Sequence, residues 1–255
     1  MLEVLIAGSR GLQSVCARPM FQGRNQSSWR RVRNRNHTAK GTWSMSLLLE
    51  QDHVIMHGVS WRTFQQLLAD RGEWGGVLLA YDRGTVELRV PSQEHEWTKT
   101  ILTQVVEAVT FVRDLHYRSL GSTTFVREDL ARGFEPDACF YLDHADAIAS
   151  DRPPDLAVDP PPDLVIEVYI TWSSLDKFSI YAALGVPEVW RYTGREVEIW
   201  CLIEGTYIVS DTSRVLPGIN ASMVARFIEE ARTTINQTAW FKGVVAAMAA
   251  LRMSQ

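Results

Sequence analysis

Pro160-Pro161-Pro162-Asp163-Leu164-Val165-Ile166-Glu167-Val168-Tyr169-Ile170 is the stretch on which the fold turns. Behind the prolines, every residue from Leu164 to Ile170 is apolar or aromatic except Glu167. Such a run predicts a strand buried on both faces with one carboxylate in its middle. An unpaired ionised Glu there would be strongly destabilising or would take up a proton, so it requires a partner: a metal ion, a cation or a hydrogen-bond donor. A helix signal with clear ends follows. Ser173 and Ser174 precede it, Asp176 is placed for a capping-box role, and Gly185 with Val186-Pro187 stops it after Leu184. Lys177 and Tyr181, four apart on one face of that helix, can be turned back toward Glu167.

Upstream, Phe134-Glu135-Pro136-Asp137-Ala138-Cys139-Phe140-Tyr141-Leu142 reads as a second key strand, with Pro136 near its start, where a missing donor is tolerated. Alternation places Asp137 on a face with Cys139 and Tyr141, and Glu167 on a face with Val165 and Tyr169. If the two strands are neighbours, about 4.8 Å apart, Asp137 and Glu167 meet on one face and can hold a hard cation through oxygen. Asp163 cannot replace Asp137, because four residues of strand put it about 13 Å from Glu167. Plainer explanations stand beside these. Asp137 would be a strand-edge carboxylate, Glu167 half of a buried ion pair with an Arg, Lys177 a solvated helix lysine and Tyr181 core packing.

Farther out, Val54 to Val59 reads as a short strand, and Ser60 caps a helix with Trp61, Phe64, Leu67 and Leu68 on its apolar face. Val77 to Tyr81 and Thr85 to Val90 form a hairpin about Asp82-Arg83-Gly84. Ser92 caps the longest helix, whose apolar residues recur at helical spacing from Trp97 to about Leu115. Its first turn holds Glu94, His95 and Glu96. The carboxylates suit a helix N-terminus; alternatively Glu94 or His95 looks into a cleft at the helix start. Ser119 to Val126 is expected to be extended, and Ala145 to Ser150 to hold a short helix. Glu188 to Tyr192, Glu196 to Ile203 and Thr206 to Val209 read as a meander, and Ala221 to Ala231 and Thr234 to Met253 as closing helices. His57, His116 and His144 show no ligand spacing, while Trp172, between strand and helix, is placed to touch a ligand.

At 255 residues and 46% hydrophobic the chain can bury a full core, and one globular domain is expected. Cys16, Cys139 and Cys201 are scattered and odd in number, which argues against a disulfide framework or a cysteine zinc site and fits a reducing cytoplasm. No run approaches the roughly 18 apolar residues of a membrane span, and Leu2 to Ala7 lacks a preceding basic region, so a cytoplasmic location without a membrane partner is expected. The net charge of −4 divides sharply along the chain. Residues 1–44 carry eight Arg or Lys against the single acid Glu3, net +7, whereas residues 45–255 are net −11. The first segment is expected to be a disordered basic extension. It has three open explanations: translation from an upstream start with Met45 as the native one, an Arg- and Ser-rich targeting segment, or a nucleic-acid-binding arm.

Pro136-Asp137, a 30-residue interval and Glu167 inside an apolar strand resemble the PD-(D/E)XK nuclease pattern. Six segments together resemble the Uma family of restriction endonucleases: Pro91-Ser92-Gln93-Glu94-His95-Glu96, Gly121-Ser122-Thr123-Thr124, Phe134-Glu135-Pro136-Asp137, Pro162 to Val168, Ser174-Leu175-Asp176-Lys177 and Tyr181 to Trp190. The resemblance covers about Met45 to Ala231. It implies an α/β (α+β) restriction-endonuclease-like core, a mixed central sheet flanked by helices, filling residues 45–255 together with the C-terminal helices. It also implies a phosphodiesterase acting on DNA, with Asp137 and Glu167 ligating Mg²⁺ or, as a substitute, Mn²⁺. Lys177 would be the catalytic lysine moved from strand to helix, and Glu94 the acid of the first core helix. Many nucleases use two such sites to cut the two strands of a duplex, so a homodimer is a further expected partner. One departure stands out: the superfamily pattern puts lysine two residues after the glutamate, where this chain has Tyr169. With the acidity of residues 45–255, that departure supports an alternative, a non-catalytic binding or regulatory protein that keeps the nuclease fold. A glycosidase using Asp137 and Glu167 as its acid and base is a third class open to paired carboxylates.

Overall fold

The computed structural model describes residues 46–49, 53–72, 76–148, 152–169 and 175–253. The basic segment 1–44, Met45, Trp172 and the Ser173-Ser174 pair lie outside them. Two strands, β1 (Ser46–Leu49) and β2 (His53–His57), lead into α1 (Trp61–Arg71), where Ser60 Oγ caps the helix by accepting the Thr63 amide at 3.1 Å. β3 (Leu78–Asp82) and β4 (Thr85–Arg89) form the expected hairpin. Its turn residues Arg83 and Gly84 have φ of 43° and 102°, the positive values that a two-residue turn needs to match strand twist. In α2 (Gln93–Arg113) the Ser92 hydroxyl accepts the His95 amide at 3.2 Å.

Short strands β5 (Arg118–Ser119), β6 (Phe125–Arg127) and β7 (Arg132–Phe134) precede β8 (Ala138–Tyr141) and, beyond a single 3-10 turn at Ala145–Ala147, β9 (Leu164–Val168). Next come α3 (Lys177–Leu184), β10 (Glu188–Tyr192), β11 (Val197–Ile203), β12 (Thr206–Ser210), α4 (Ala221–Thr233) and α5 (Gln237–Met253). Asp176 is itself the N-cap of α3, accepting the Phe178 amide at 3.1 Å, and Gly185 at φ 78° closes the helix in the left-handed conformation.

Among the described residues the strands make two six-stranded sheets. The central sheet has the order β12-β11-β10-β9-β8-β5 and is mixed, with β9 and β10 parallel and the other pairs antiparallel. A parallel pair needs a crossover, and α3 supplies it. The second sheet, β1-β2-β4-β3-β7-β6, is antiparallel throughout. The strand expected from Phe134 to Leu142 is therefore two strands. Phe134 pairs with Ala80 in the second sheet, while Ala138 pairs with Ile166 in the central one. Pro136 sits in the step between them, where its missing N–H leaves no ladder bond unmade. Glu135 anchors that step: its carboxylate receives Arg71 at 2.5 Å through each of two nitrogens, the Leu79 amide at 2.8 Å and the Thr124 hydroxyl.

One face of the central sheet, carrying Leu164, Ile166, Val168, Trp190 and Ile199, packs on α2, α4 and α5. The opposite face, with Cys139, Val165 and Val189, meets α3 and the inner face of the second sheet through Ile180, Tyr181, Ile55, Ala80 and Phe134. The outer face of the second sheet, Leu79, Tyr81 and Val86, packs on Phe64 of α1. β9 thus lies between two cores, which is why its sequence is apolar at every position but one. Cys139 and Cys201 are buried and not disulfide-bonded. No helix among the described residues is long and apolar enough to cross a membrane.

Gly133 lies under the buried Phe64 ring, where an added Cβ would stand 2.9 Å from Cε1 and 3.2 Å from the Phe125 carbonyl oxygen. Gly133→Ala is expected to lower unfolding free energy by about 1–3 kcal/mol through overpacking. The measurement is the urea midpoint with the native circular-dichroism spectrum retained; an unchanged midpoint would mean that the ring has room to retreat.

Candidate active site

β8 and β9 pair antiparallel with Ala138 opposite Ile166, and one step further along the same register sets Asp137 opposite Glu167. Both carboxylates lie on the face that looks toward α3 and the second sheet. Asp137 is tied down through one oxygen: Oδ2 accepts the Val168 amide at 2.6 Å and His95 Nε2 at 3.0 Å. Glu167 is held similarly, with Tyr181 donating its hydroxyl to Oε1. The remaining oxygens, Asp137 Oδ1 and Glu167 Oε2, take the cations. Lys177 Nζ donates to Glu167 Oε2 at 3.1 Å and lies 3.7 Å from Glu87 Oε2. Arg89 donates from Nη2 to Asp137 Oδ1, with that nitrogen 3.7 Å from Glu167 Oε2, and from Nη1 to the Val168 carbonyl at 3.1 Å.

Asp137, Glu167, Glu87, Lys177, Arg89 and His95 are each at most 4% exposed, so water screens their charges little. Burial pushes the Asp137 carboxyl up, but the Arg89 guanidinium and the His95 hydrogen bond outweigh it and hold the group well below the usual carboxylate range. For Glu167 burial prevails: it raises the carboxyl against the pull of Lys177, and neighbouring Asp137 adds to the rise. Burial pulls Arg89 down, but Asp137 and Glu167 more than reverse this and raise it.

Asp137, Glu167 and Lys177 are thus brought together. Glu94 is not: it is half exposed and pairs with Arg232 at 3.1 Å, on the outer side of the α2 start. The residue of that turn that does reach the cluster is His95, and the reason is helical phase. His95 shares the buried helix face with Thr98 and Leu102, three and seven residues on, while its neighbour Glu94 faces out. Asp163 serves the far end of β9, accepting the Leu142 and His144 amides at 2.7 and 3.0 Å. Tyr169, at the position of the superfamily lysine, presents its ring to two cations, Lys177 at 6.0 Å and Arg191 at 5.9 Å. Burial pushes its phenol well above the usual value.

Glu87 and Arg89 were not anticipated. Alternation along β4 sets both on one face, opposite Val86 and Leu88, and a charged strand face reads as a solvent face when the covering layer is unknown. The alternative partner for Glu167, a buried Arg, is nonetheless present beside the lysine. Among the described residues no group of three or more His, Cys, Asp and Glu side chains is arranged to hold a metal ion. The oxygens of Asp137, Glu167 and Val168 that converge on Arg89 are hard donors of the kind that bind divalent cations.

A mixed sheet flanked by helices, with carboxylates facing each other across two paired strands, defines the restriction-endonuclease-like class. Within it, residues 61–229 match the family model of Uma2, described as "Putative restriction endonuclease". The match spans more than half of the chain, which belongs to the Uma2 family. A search of the curated proteins gave no match.

Removing Lys177 leaves Glu87 and Glu167 buried with one cation fewer, whereas removing the Tyr181 hydroxyl deprives Glu167 of one donor. Lys177→Met is expected to cost about 3–5 kcal/mol of stability. Tyr181→Phe should cost about 1–2 kcal/mol. Urea unfolding of both variants checks the order; equal midpoints for Lys177→Met and the native chain would show that the carboxylates do not depend on that ammonium.

Proposed function

We propose that this protein is an endonuclease that hydrolyses phosphodiester bonds in DNA with the help of Mg²⁺, for which Mn²⁺ can substitute. One observation supports the reading above the others: Asp137 and Glu167 meet across paired strands with Lys177 donating to the second carboxylate, in a chain of the Uma2 family. Asp137, Glu167 and the Val168 carbonyl would hold the cation, and their hard oxygens suit one. When bound, such an ion supplies a water of lowered pKa and offsets charge on the scissile phosphate.

The remaining work falls to the chain's own side chains. His95 and the Val168 amide fix Asp137 by Oδ2 and so aim Oδ1 at the shared position. Tyr181 fixes Glu167 by Oε1, which aims Oε2 the same way. Lys177, held on Oε2, is placed to orient a water or to meet negative charge developing on the phosphate.

A second reading, a non-catalytic binding or regulatory protein that retains the fold, is favoured by Arg89 lying across these same oxygens and by Tyr169 at the superfamily's lysine position. The net −11 of residues 45–255 also works against electrostatic attraction of DNA.

Incubating the full chain with supercoiled and single-stranded DNA in Mg²⁺, Mn²⁺ or EDTA separates the two. Cleavage is expected with the cations and not with EDTA, and the isosteric Glu167→Gln should slow it by a factor on the order of 100 or more. Undiminished cutting by that variant would sink the assignment. DNA left intact with every cation would hand the protein to the second reading.

A further inference from the structure

The guanidinium of Arg89 is not an ordinary neighbour of the two carboxylates. It reaches from the last residue of β4, in the second sheet, to touch the Val168 carbonyl, Asp137 Oδ1 and, at 3.7 Å, Glu167 Oε2 in the central sheet. These are the same three oxygens that face the shared position, and Lys177 reaches only the last of them. Planarity lets one guanidinium address several oxygens at once, which a point-like ammonium cannot do. The arrangement has a local penalty: Arg89 Nε is buried without a hydrogen-bond partner, an orphaned donor accepted for the sake of the head group's other contacts.

Charge counting points the same way. Three carboxylates, Glu87, Asp137 and Glu167, lie here against two basic side chains, Arg89 and Lys177, which formally counts three negative charges against two positive. A divalent ion in place of the guanidinium would bring three negative charges against three positive. A divalent ion beside the guanidinium would put two cations on the same oxygens in a site that water hardly screens. Arginine cannot leave the contest by losing its proton, so displacement requires the side chain to move.

We propose that Arg89 is the built-in cation of this site: its guanidinium holds the position of a divalent ion, and an ion enters only by displacing it. The proposal rests on the reading of Asp137 and Glu167 as cation ligands, and it assigns Arg89 a role in setting cation affinity. The carboxylates stay compensated without an ion, so the native fold does not depend on one.

The test is Mn²⁺ titration of the full native chain and of Arg89→Met, followed by the paramagnetic resonance of free Mn²⁺, with melting temperatures recorded at each concentration. Arg89→Met is expected to bind one Mn²⁺ at least about tenfold more tightly than the native chain, the direction required when a like charge leaves the site. Its melting temperature should rise at Mn²⁺ concentrations at least about tenfold lower than those that raise the native one, because both gain a ligand of the folded state and the variant binds it more tightly. Adding Asp137→Asn to Arg89→Met should abolish the gain. Equal affinities in the native chain and Arg89→Met overturn the proposal; if Asp137→Asn alone removes that shared binding, the cation-site reading survives it. A gain that persists with Asp137→Asn, or no binding by either protein, overturns both. An Arg89→Met chain that is unfolded and is not restored by Mn²⁺ overturns the proposal as well, since the guanidinium would then be a structural tie that an ion cannot replace.

Discussion

Two carboxylates facing each other across a pair of hydrogen-bonded strands, both almost fully buried, form the constraint to which the rest of the molecule answers. Neither Asp137 nor Glu167 can remain ionised in that setting without positive charge close by, and neither strand carries any. The compensation comes from elsewhere: Arg89 from β4 of the second sheet, Lys177 from the first turn of α3. The second sheet and the crossover helix are thereby joined to the central sheet by ion pairs as well as by the apolar contacts of Ile55, Ala80, Phe134 and Tyr181. Breaking such a buried set from one side costs more than forming it gains, which makes the cluster a device for fixing register and layer order more than a source of net stability.

Much of the frame was legible in the chain. β9 announces itself because a strand covered on both faces must be apolar throughout, and α3 because Asp176 and Gly185 supply the two ends of a helix. Strand period gave the face of Asp137 and of Glu167 within each strand, and the pairing of β8 with β9 is what makes the two faces one. What stayed hidden was the layer that covers that face. A strand such as β4, apolar on one side and charged on the other, has the same pattern whether its charged side meets water or a second sheet. The split of the segment from Phe134 to Leu142 was hidden for a related reason: Pro136 reads equally well as the start of one strand or as the passage between two sheets. At α2 the sequence offered Glu94 and His95 side by side at the edge of the apolar face, and the structure puts His95 on the buried side with Thr98 and Leu102 and Glu94 outside.

Membership of the Uma2 family and the chemistry of the site therefore carry different information. The family match gives a class; the sheet order and the meeting of the two carboxylates are read from this chain's own structure, as is the cation that lies against them. At Tyr169 this chain lacks the strand lysine of the wider superfamily, yet an ammonium still reaches Glu167, delivered from a helix one crossover away. The same carboxylate thus keeps its cation although the residue that follows it by two has become aromatic.

The oxygens of the pair divide their labour. Oδ2 of Asp137 and Oε1 of Glu167 are engaged by the Val168 amide, His95 and Tyr181, and these hold each carboxylate in orientation. Oδ1 and Oε2 face the cations. Because orientation and charge compensation use different atoms, a change of cation would not require either carboxylate to turn. On the proposed reading, an exchange of Arg89 for a divalent ion would need movement of one side chain from the end of β4 and would leave both strands of the central sheet in register.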